Sequence, residues 1–337
     1  MMNKDLSFFV TRFFTHYLAN QRNVSGNTIC AYRDTFLLFF AFLKEEKGIN
    51  TNKLQIEKIT REYVISFLDW LEETRHNSIT TRNQRLAAIH AFFKYLLAEN
   101  VEYMLQSRQI LSIPFKKHAK AIVPYLQENE LKHLLEMPDI ETIWGRRDLV
   151  LLCVLYDTGG RVQEIIDLKV NDVRFEAPAT ICLTGKGRKS RIVPLMNRTA
   201  SLLKEYINEQ EQNIAEASGI IFFNKQKQKL TRKGVAYILE KYASKAAEVN
   251  DMPTFKITPH VLRHTKAMHL LRAGVNLFYI RDILGHVDIS TTEIYAKIDV
   301  EQKRDILESV SNATTSVNMK QWKNEPDLMA WLKGLGK

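Results

Sequence analysis

Cysteine is scarce, and the few present stand too far apart for metal or redox work. Cys30, Cys153 and Cys182 have no C-x-x-C spacing, and each lies in an apolar stretch, as a buried thiol in a reducing compartment would. Long apolar runs are missing as well. None approaches the roughly 20 residues that a bilayer-spanning helix needs. Arg12 and His16 break the aromatic run around residues 8–14, so no signal-peptide core forms there. The expectation is a soluble, cytoplasmic chain with no membrane partner. Repeats and low-complexity tracts are also lacking. Acidic residues are in deficit, 38 against 48 Lys and Arg, for a net charge of +10, and the basic residues are spread along the chain. That spread suits an extended polyanion, although charge alone fits DNA, RNA or an acidic membrane surface equally.

What is present is helical periodicity. The 337 residues suffice for two domains with separate cores. Over the first hundred, apolar residues recur at three- and four-residue spacing in about four segments. The first carries Phe8, Phe9, Phe13, Phe14 and Leu18. The second starts at the N-cap Ser25 and carries Phe36, Phe39 and Leu43 before Gly48. The third starts near Thr60 with Val64, Phe67, Leu68 and Leu71. The fourth, from Ser78, carries Leu86, Ile89, Phe92, Phe93 and Leu96, which leaves Arg82, Arg85 and Lys94 for solvent or a ligand. Periodicity then stops, and residues 107–123 read as a basic linker containing Lys116, Lys117 and Lys120, fit to lie along phosphates or to serve as a solvated tether. Beyond it, the pattern is again helical from Gln127. Two β-like runs flank the turn at residues 184–190, another strand-like run covers 220–223, and helical signals dominate from Thr231. Residues 311–337 offer Trp322, Leu328, Trp331 and Leu332 on a segment too short to be a stable isolated helix.

Several residues in the second half carry potential chemistry. Arg161 follows Thr158-Gly159-Gly160 and opens a helix, which is a good phosphate site, although a surface pair with Glu164 explains it as well. Lys186, Arg188, Lys189 and Arg191 crowd the hairpin turn, either to enter a DNA groove or simply to be solvated; the spacing is not that of a nucleotide-binding P-loop. His260, Arg263 and His264 share a helix face. The histidine pair lacks the Glu of a zinc motif and has no clear third ligand, so no metal is expected. Gly285 stops a helix just before His286, and Ser290-Thr291-Thr292-Glu293 reads as a capping box for a helix bearing Tyr295.

Taken in order, TGGR with Glu164, GKG in a hairpin turn, HVLRH, LGH and STTEIY resemble the motifs of the tyrosine recombinase, or phage integrase, family. The two-domain layout is most similar to bacterial chromosome-dimer recombinases and transposon integrases. The resemblance implies a mainly α fold: an all-helical, SAM-like core-binding domain over 1–106, the linker 107–123, and a mostly helical catalytic domain with a small antiparallel sheet over 124–310. A tail at 311–337 would then dock between subunits. It implies a site-specific recombinase that cleaves and rejoins double-stranded DNA through a 3′-phosphotyrosyl intermediate, without metal, ATP or other cofactor, in integration, excision or resolution of a mobile element.

The roles carried over are Arg161 and Arg263 on the scissile phosphate, Lys186 as proton donor to the 5′-oxygen, and His260 and His286 on the phosphate. Tyr295 is the nucleophile. Gly160 and Gln163 depart from the usual residues at their positions. The expected DNA contacts are Arg82, Arg85, Lys94, Lys116, Lys117, Lys120, Arg188 and Lys189. The expected assembly is a homotetramer on paired sites in a bacterial cytoplasm, nucleoid-associated when bound. Readings that compete are a catalytically inactive DNA-binding regulator and a topoisomerase or telomere resolvase.

Overall fold

Ser25, Thr60 and Ser78 each accept the backbone N–H three residues on, from Thr28, Tyr63 and Thr81, all at 3.3 Å, and so start three helices where the spacing predicts them. The computed structural model describes residues 6–50, 54–117, 124–185, 187 and 189–285, and the chain divides into two units, Met1–Ala121 and Ile122–Lys337. In the first unit, α1 (Leu6–Arg12) continues as a π-helical segment, Phe13–Gln21, followed by α2 (Gly26–Lys47), α3 (Arg61–Glu73), α4 (Ile79–Glu99) and α5 (Met104–Leu111). The core is aromatic: Phe13 meets Phe92 edge-on at 5.3 Å between centroids, and Phe39 meets Phe67 at 5.1 Å. Cys30, expected to be buried, is exposed on α2.

The segment expected to be a linker opens inside a helix. Residues 107–111 belong to α5, where Ser107 and Ile110 are buried. Ile110 and Leu111 are the only apolar residues of 107–111, too few to show as a period, and Ser107 takes the next buried position. The chain beyond is also held to this unit. The Asn83 amide donates to the Lys116 carbonyl at 2.8 Å and accepts its N–H at 3.1 Å, while Arg82 donates to the Pro114 carbonyl at 3.3 Å.

The second unit runs through α6 (Glu128–Glu136), α7 (Ile143–Thr158), α8 (Val162–Ile166), β1 (Val173–Arg174), β2 (Thr180–Thr184) and β3 (Ser190–Pro194). It continues with α9 (Asn197–Glu209), α10 (Glu211–Glu216), α11 (Arg232–Val249), α12 (Pro259–Arg272) and α13 (Leu277–Leu284). The strands form one antiparallel sheet in the order β1-β2-β3, with Ile181 opposite Val193 and Leu183 opposite Arg191. Ile181, Leu183 and Val193 face the core while Ile192 points out, the alternation of a sheet wetted on one side.

The strand-like run at residues 220–223 does not join this sheet. Its side chains at 221–223 are buried, but its backbone makes only single bridges, Lys169 with Ile220 and Phe223 with Lys229. An apolar run specifies burial and leaves the hydrogen-bond partner open. No helix among the described residues is long and apolar enough to cross a membrane.

Candidate active site

The turn after α7 depends on two glycines. Gly159 is left-handed (φ 55°), and a Cβ there would meet the Leu284 side chain at 2.6 Å; one on Gly160 would meet Ile165 at 2.7 Å. This close approach sets Arg161 at the start of α8. Its backbone N–H donates to Glu164 Oε2 at 2.9 Å and its Nη1 to Oε1 at 2.9 Å. The pair is not a surface pair, because the Glu164 side chain is 2% exposed and also accepts from Arg191 Nη2, on β3, at 2.7 Å. Burial pushes the Glu164 carboxyl up, but hydrogen bonds from Arg191 and Arg161 outweigh it and hold the group below its ordinary value.

Three guanidiniums meet at the end of α13. Arg191 Nε donates to the Ile283 carbonyl at 2.8 Å, Arg263 Nη2 to Leu284 at 2.6 Å, and Arg161 Nη2 to Gly285 at 3.2 Å. A helix C-terminus leaves such carbonyls without intrahelical partners and carries partial negative charge, so cations are favoured there. Gly285 ends the helix at φ 66°, and a Cβ on it would lie 2.7 Å from Arg191 Nη1. Arg263 is buried and also donates to the Gly159 carbonyl at 2.6 Å, which ties α12 to the glycine turn.

His260 stands exposed in the first turn of α12, which Thr258 caps by accepting the Val261 N–H at 3.2 Å. Although the residue reaches solvent, its ring is partly desolvated by its neighbours, and this desolvation, followed by the charges of Arg263, Arg161 and Arg232, lowers its pKa. A neutral imidazole there is able to accept a proton. His264, one turn on, is pushed down to about 4 by burial, then by His260 and Arg263. Among the described residues, no group of three or more His, Cys, Asp or Glu is arranged to hold a metal. Gly185, at the base of the hairpin turn, lies against this cluster; a Cβ on it would come within 2.8 Å of Glu164 Oε1.

Arg161, His260 and Arg263 are thus brought together. Lys120, Lys186, Arg188, His286, Tyr295 and the tail at 311–337 lie outside the described residues. Of the expected DNA contacts, Lys94, Lys116, Lys117 and Lys189 are exposed. Arg82 is not available: it is 4% exposed, 3.4 Å from Glu72, and serves to hold the segment after α5. Arg85 is half-buried and donates to the Ala31 carbonyl and to Thr35, both at 3.1 Å. Both arginines fall toward the interior because α2 and α3 pack beside α4, which helical spacing within α4 alone does not reveal.

Two features escaped the sequence. Arg191 reads there as one more charge at a turn, yet counting by twos from the inward Val193 sets it on the buried face. Further along α12, Thr265 Oγ1 accepts the Leu126 N–H at 3.0 Å. His269 Nε2 donates to the Leu126 carbonyl at 2.9 Å, which leaves Nδ1 to accept from the Tyr156 hydroxyl at 2.8 Å. The start of the second unit is thereby fastened to the helix that carries His260 and Arg263.

The model of the phage integrase family matches residues 124–302, and that of the phage integrase N-terminal SAM-like domain matches residues 12–100. The chain belongs to the phage integrase family, the tyrosine recombinases. The recombinase is 35% identical over 324 residues to a putative integrase/recombinase of Sinorhizobium fredii, covering 96% of both chains. It is 32% identical to the tyrosine recombinase XerC of Bacillus subtilis, covering 87% of this chain and 93% of that one. Its fold is similar to that of the XerH site-specific recombinase bound to its difH substrate, with TM-score 0.64 and 24% identity over 86% of this chain and 81% of that one. A transposon integrase, that of Tn1549 in complex with transposon right-end DNA, gives TM-score 0.63 and 17% identity over 90% and 99%.

Proposed function

We propose that this recombinase cleaves and rejoins duplex DNA through a 3′-phosphotyrosyl bond to Tyr295, in the integration, excision or resolution of a mobile element. The Tyr295 phenol oxygen attacks the scissile phosphorus, the bond from phosphorus to the 5′-oxygen breaks, and Lys186 protonates the departing oxygen. His260 accepts the phenol proton. Arg161 and Arg263, with His286, stabilise the charge that builds on the non-bridging oxygens. The phosphotyrosyl ester keeps the energy of the broken bond, so a 5′-hydroxyl rejoins the strand by the reverse steps. Lys94, Lys116, Lys117 and Lys189, with Lys120 and Arg188, contact the DNA backbone. The working assembly is a tetramer on paired sites, with the segment 311–337 docked on a neighbour.

The observation that carries this reading is the convergence of Arg161 and Arg263 on the last carbonyls of α13, with His260 close enough for both guanidiniums to lower its pKa. The test is to incubate the full chain with a pool of random-sequence duplexes, recover complexes that survive denaturation, and sequence the DNA. A nicked duplex of the recovered site then traps the covalent intermediate. Tyr295→Phe is expected to abolish trapping; trapping that persists in this variant overturns the assignment.

A further inference from the structure

We propose that Arg191 is a positioning residue of the cleavage site: through Glu164 it orients Arg161, and through the Ile283 carbonyl it fixes the helix end that holds Arg161 and Arg263. This rests on the phosphate-binding reading of Arg161 and Arg263.

The argument starts from how Glu164 is used. Its Oε1 takes Arg161 Nη1, and its Oε2 takes both the Arg161 backbone N–H and Arg191 Nη2. One buried negative charge therefore lies between two positive ones. With Arg191 in place, Glu164 is neutralised from the β3 side, and the positive charge of Arg161 is left for an anion. Without it, Arg161 alone compensates a carboxylate that is 2% exposed, and a phosphate must compete for the same guanidinium. Exposure divides the two arginines accordingly. The Arg161 side chain is 39% exposed and faces outward, whereas that of Arg191 is 14% exposed, with its Nε and Nη2 donors committed to Ile283 and Glu164. Arg191 is thus placed to act on the phosphate through its neighbours.

The second contact has a separate consequence. Ile283, Leu284 and Gly285 offer three successive carbonyls to Arg191, Arg263 and Arg161. The Arg191 bond links β3 to this helix end, so the hairpin and the two other guanidiniums share one anchor. A lysine cannot replace it. An ammonium is a compact point charge on a flexible stem and lacks the rigid fork that reaches Glu164 with one nitrogen and Ile283 with another.

The experiment uses the full chain and the nicked duplex recovered above, made with a normal scissile phosphate or with a methylphosphonate, in which an uncharged methyl replaces one non-bridging oxygen. Arg191→Lys is expected to slow covalent trapping on the phosphate at least tenfold, with duplex affinity within threefold of the parent. On the methylphosphonate, with less charge to stabilise, the loss is expected to fall below threefold. A merely structural role would slow both substrates alike. Less than tenfold loss on the phosphate, a loss of threefold or more on the methylphosphonate, or a larger drop in affinity overturns the proposal. If Arg191→Lys does not fold, Arg191→Met, which keeps the stem, carries the same comparison. Failure of both to fold overturns the proposal by making Arg191 a residue of the fold alone. Tyr295→Phe and Arg161→Ala run alongside. If those two still trap DNA at the parent rate, the proposed function has failed; if they are inactive and Arg191→Lys is normal, only the role of Arg191 has.

Discussion

Arg82→Ala separates a DNA contact from a structural arginine, because the two roles predict opposite changes in two measurements. The guanidinium is 4% exposed and donates to the Pro114 carbonyl at 3.3 Å and to Asn83 Oδ1 at 3.1 Å, with Glu72 3.4 Å away. Two long hydrogen bonds contribute about 1 kcal/mol each, below the ~1.5–3 kcal/mol of well-formed bonds to charged groups because of their length. The ion pair adds less than the ~3–5 kcal/mol seen when a buried charge is stranded, since Glu72 keeps Lys116 at 2.7 Å. The sum is about 2–3 kcal/mol, lost from the first unit. With a urea dependence of about 1–3 kcal/mol per molar, its unfolding midpoint is expected to drop by about 0.7–3 M, and hydrogen exchange in α4 and α5 is expected to accelerate. Binding to a nonspecific duplex, measured against salt, is expected to keep its slope. A phosphate contact would instead lower that slope by about 0.9 and leave stability nearly unchanged. That second pattern refutes the burial argument.

Thr265→Val is expected to destabilise the second unit by about 1–3 kcal/mol, because it strands the buried N–H of Leu126; chemical denaturation of the full chain checks this, and an unchanged transition contradicts it. Stability is also expected to fall on acidification. The His264 pKa of about 4 in the folded chain lies below the ordinary histidine value of about 6.5, so between those pH values the unfolded chain binds a proton that the folded one does not. The slope from one such proton is at most about 1.4 kcal/mol per pH unit. His260 and His269, also lowered, act in the same direction. His264→Gln is expected to flatten stability between about pH 6.5 and 4, and a slope identical to the parent's counts against the half-buried neutral ring.

Local patterns made much of the fold legible. Caps at Ser25, Thr60 and Ser78, the stop at Gly285 and the four-residue periodicity of the first three long helices depend on neighbours along the chain, so they can be read without the fold. The run at 220–223 was legible as apolar but not as loop, since an apolar run does not say which backbone pairs with it, and here the partners are single residues, Lys169 and Lys229. The buried part of 107–117 was invisible because its core residues, Ile110 and Ile113, are too few to make a period, and the amide and guanidinium that hold the chain beyond α5 come from α4.

By itself the sequence determined the family and the ordered set Arg161, His260 and Arg263, because the residue types and their order carry that information. Only the tertiary structure decided which cations are held against carboxylates and which face solvent. Arg82 and Arg191 look alike in sequence to Lys94 and Lys189, but the first is buried and the second half-buried against carboxylates, while the two lysines face solvent. The reason is physical: a guanidinium's role is set by which acceptors reach it, and here those acceptors, Glu72, Glu164 and the α13 carbonyls, arrive from other elements of the fold.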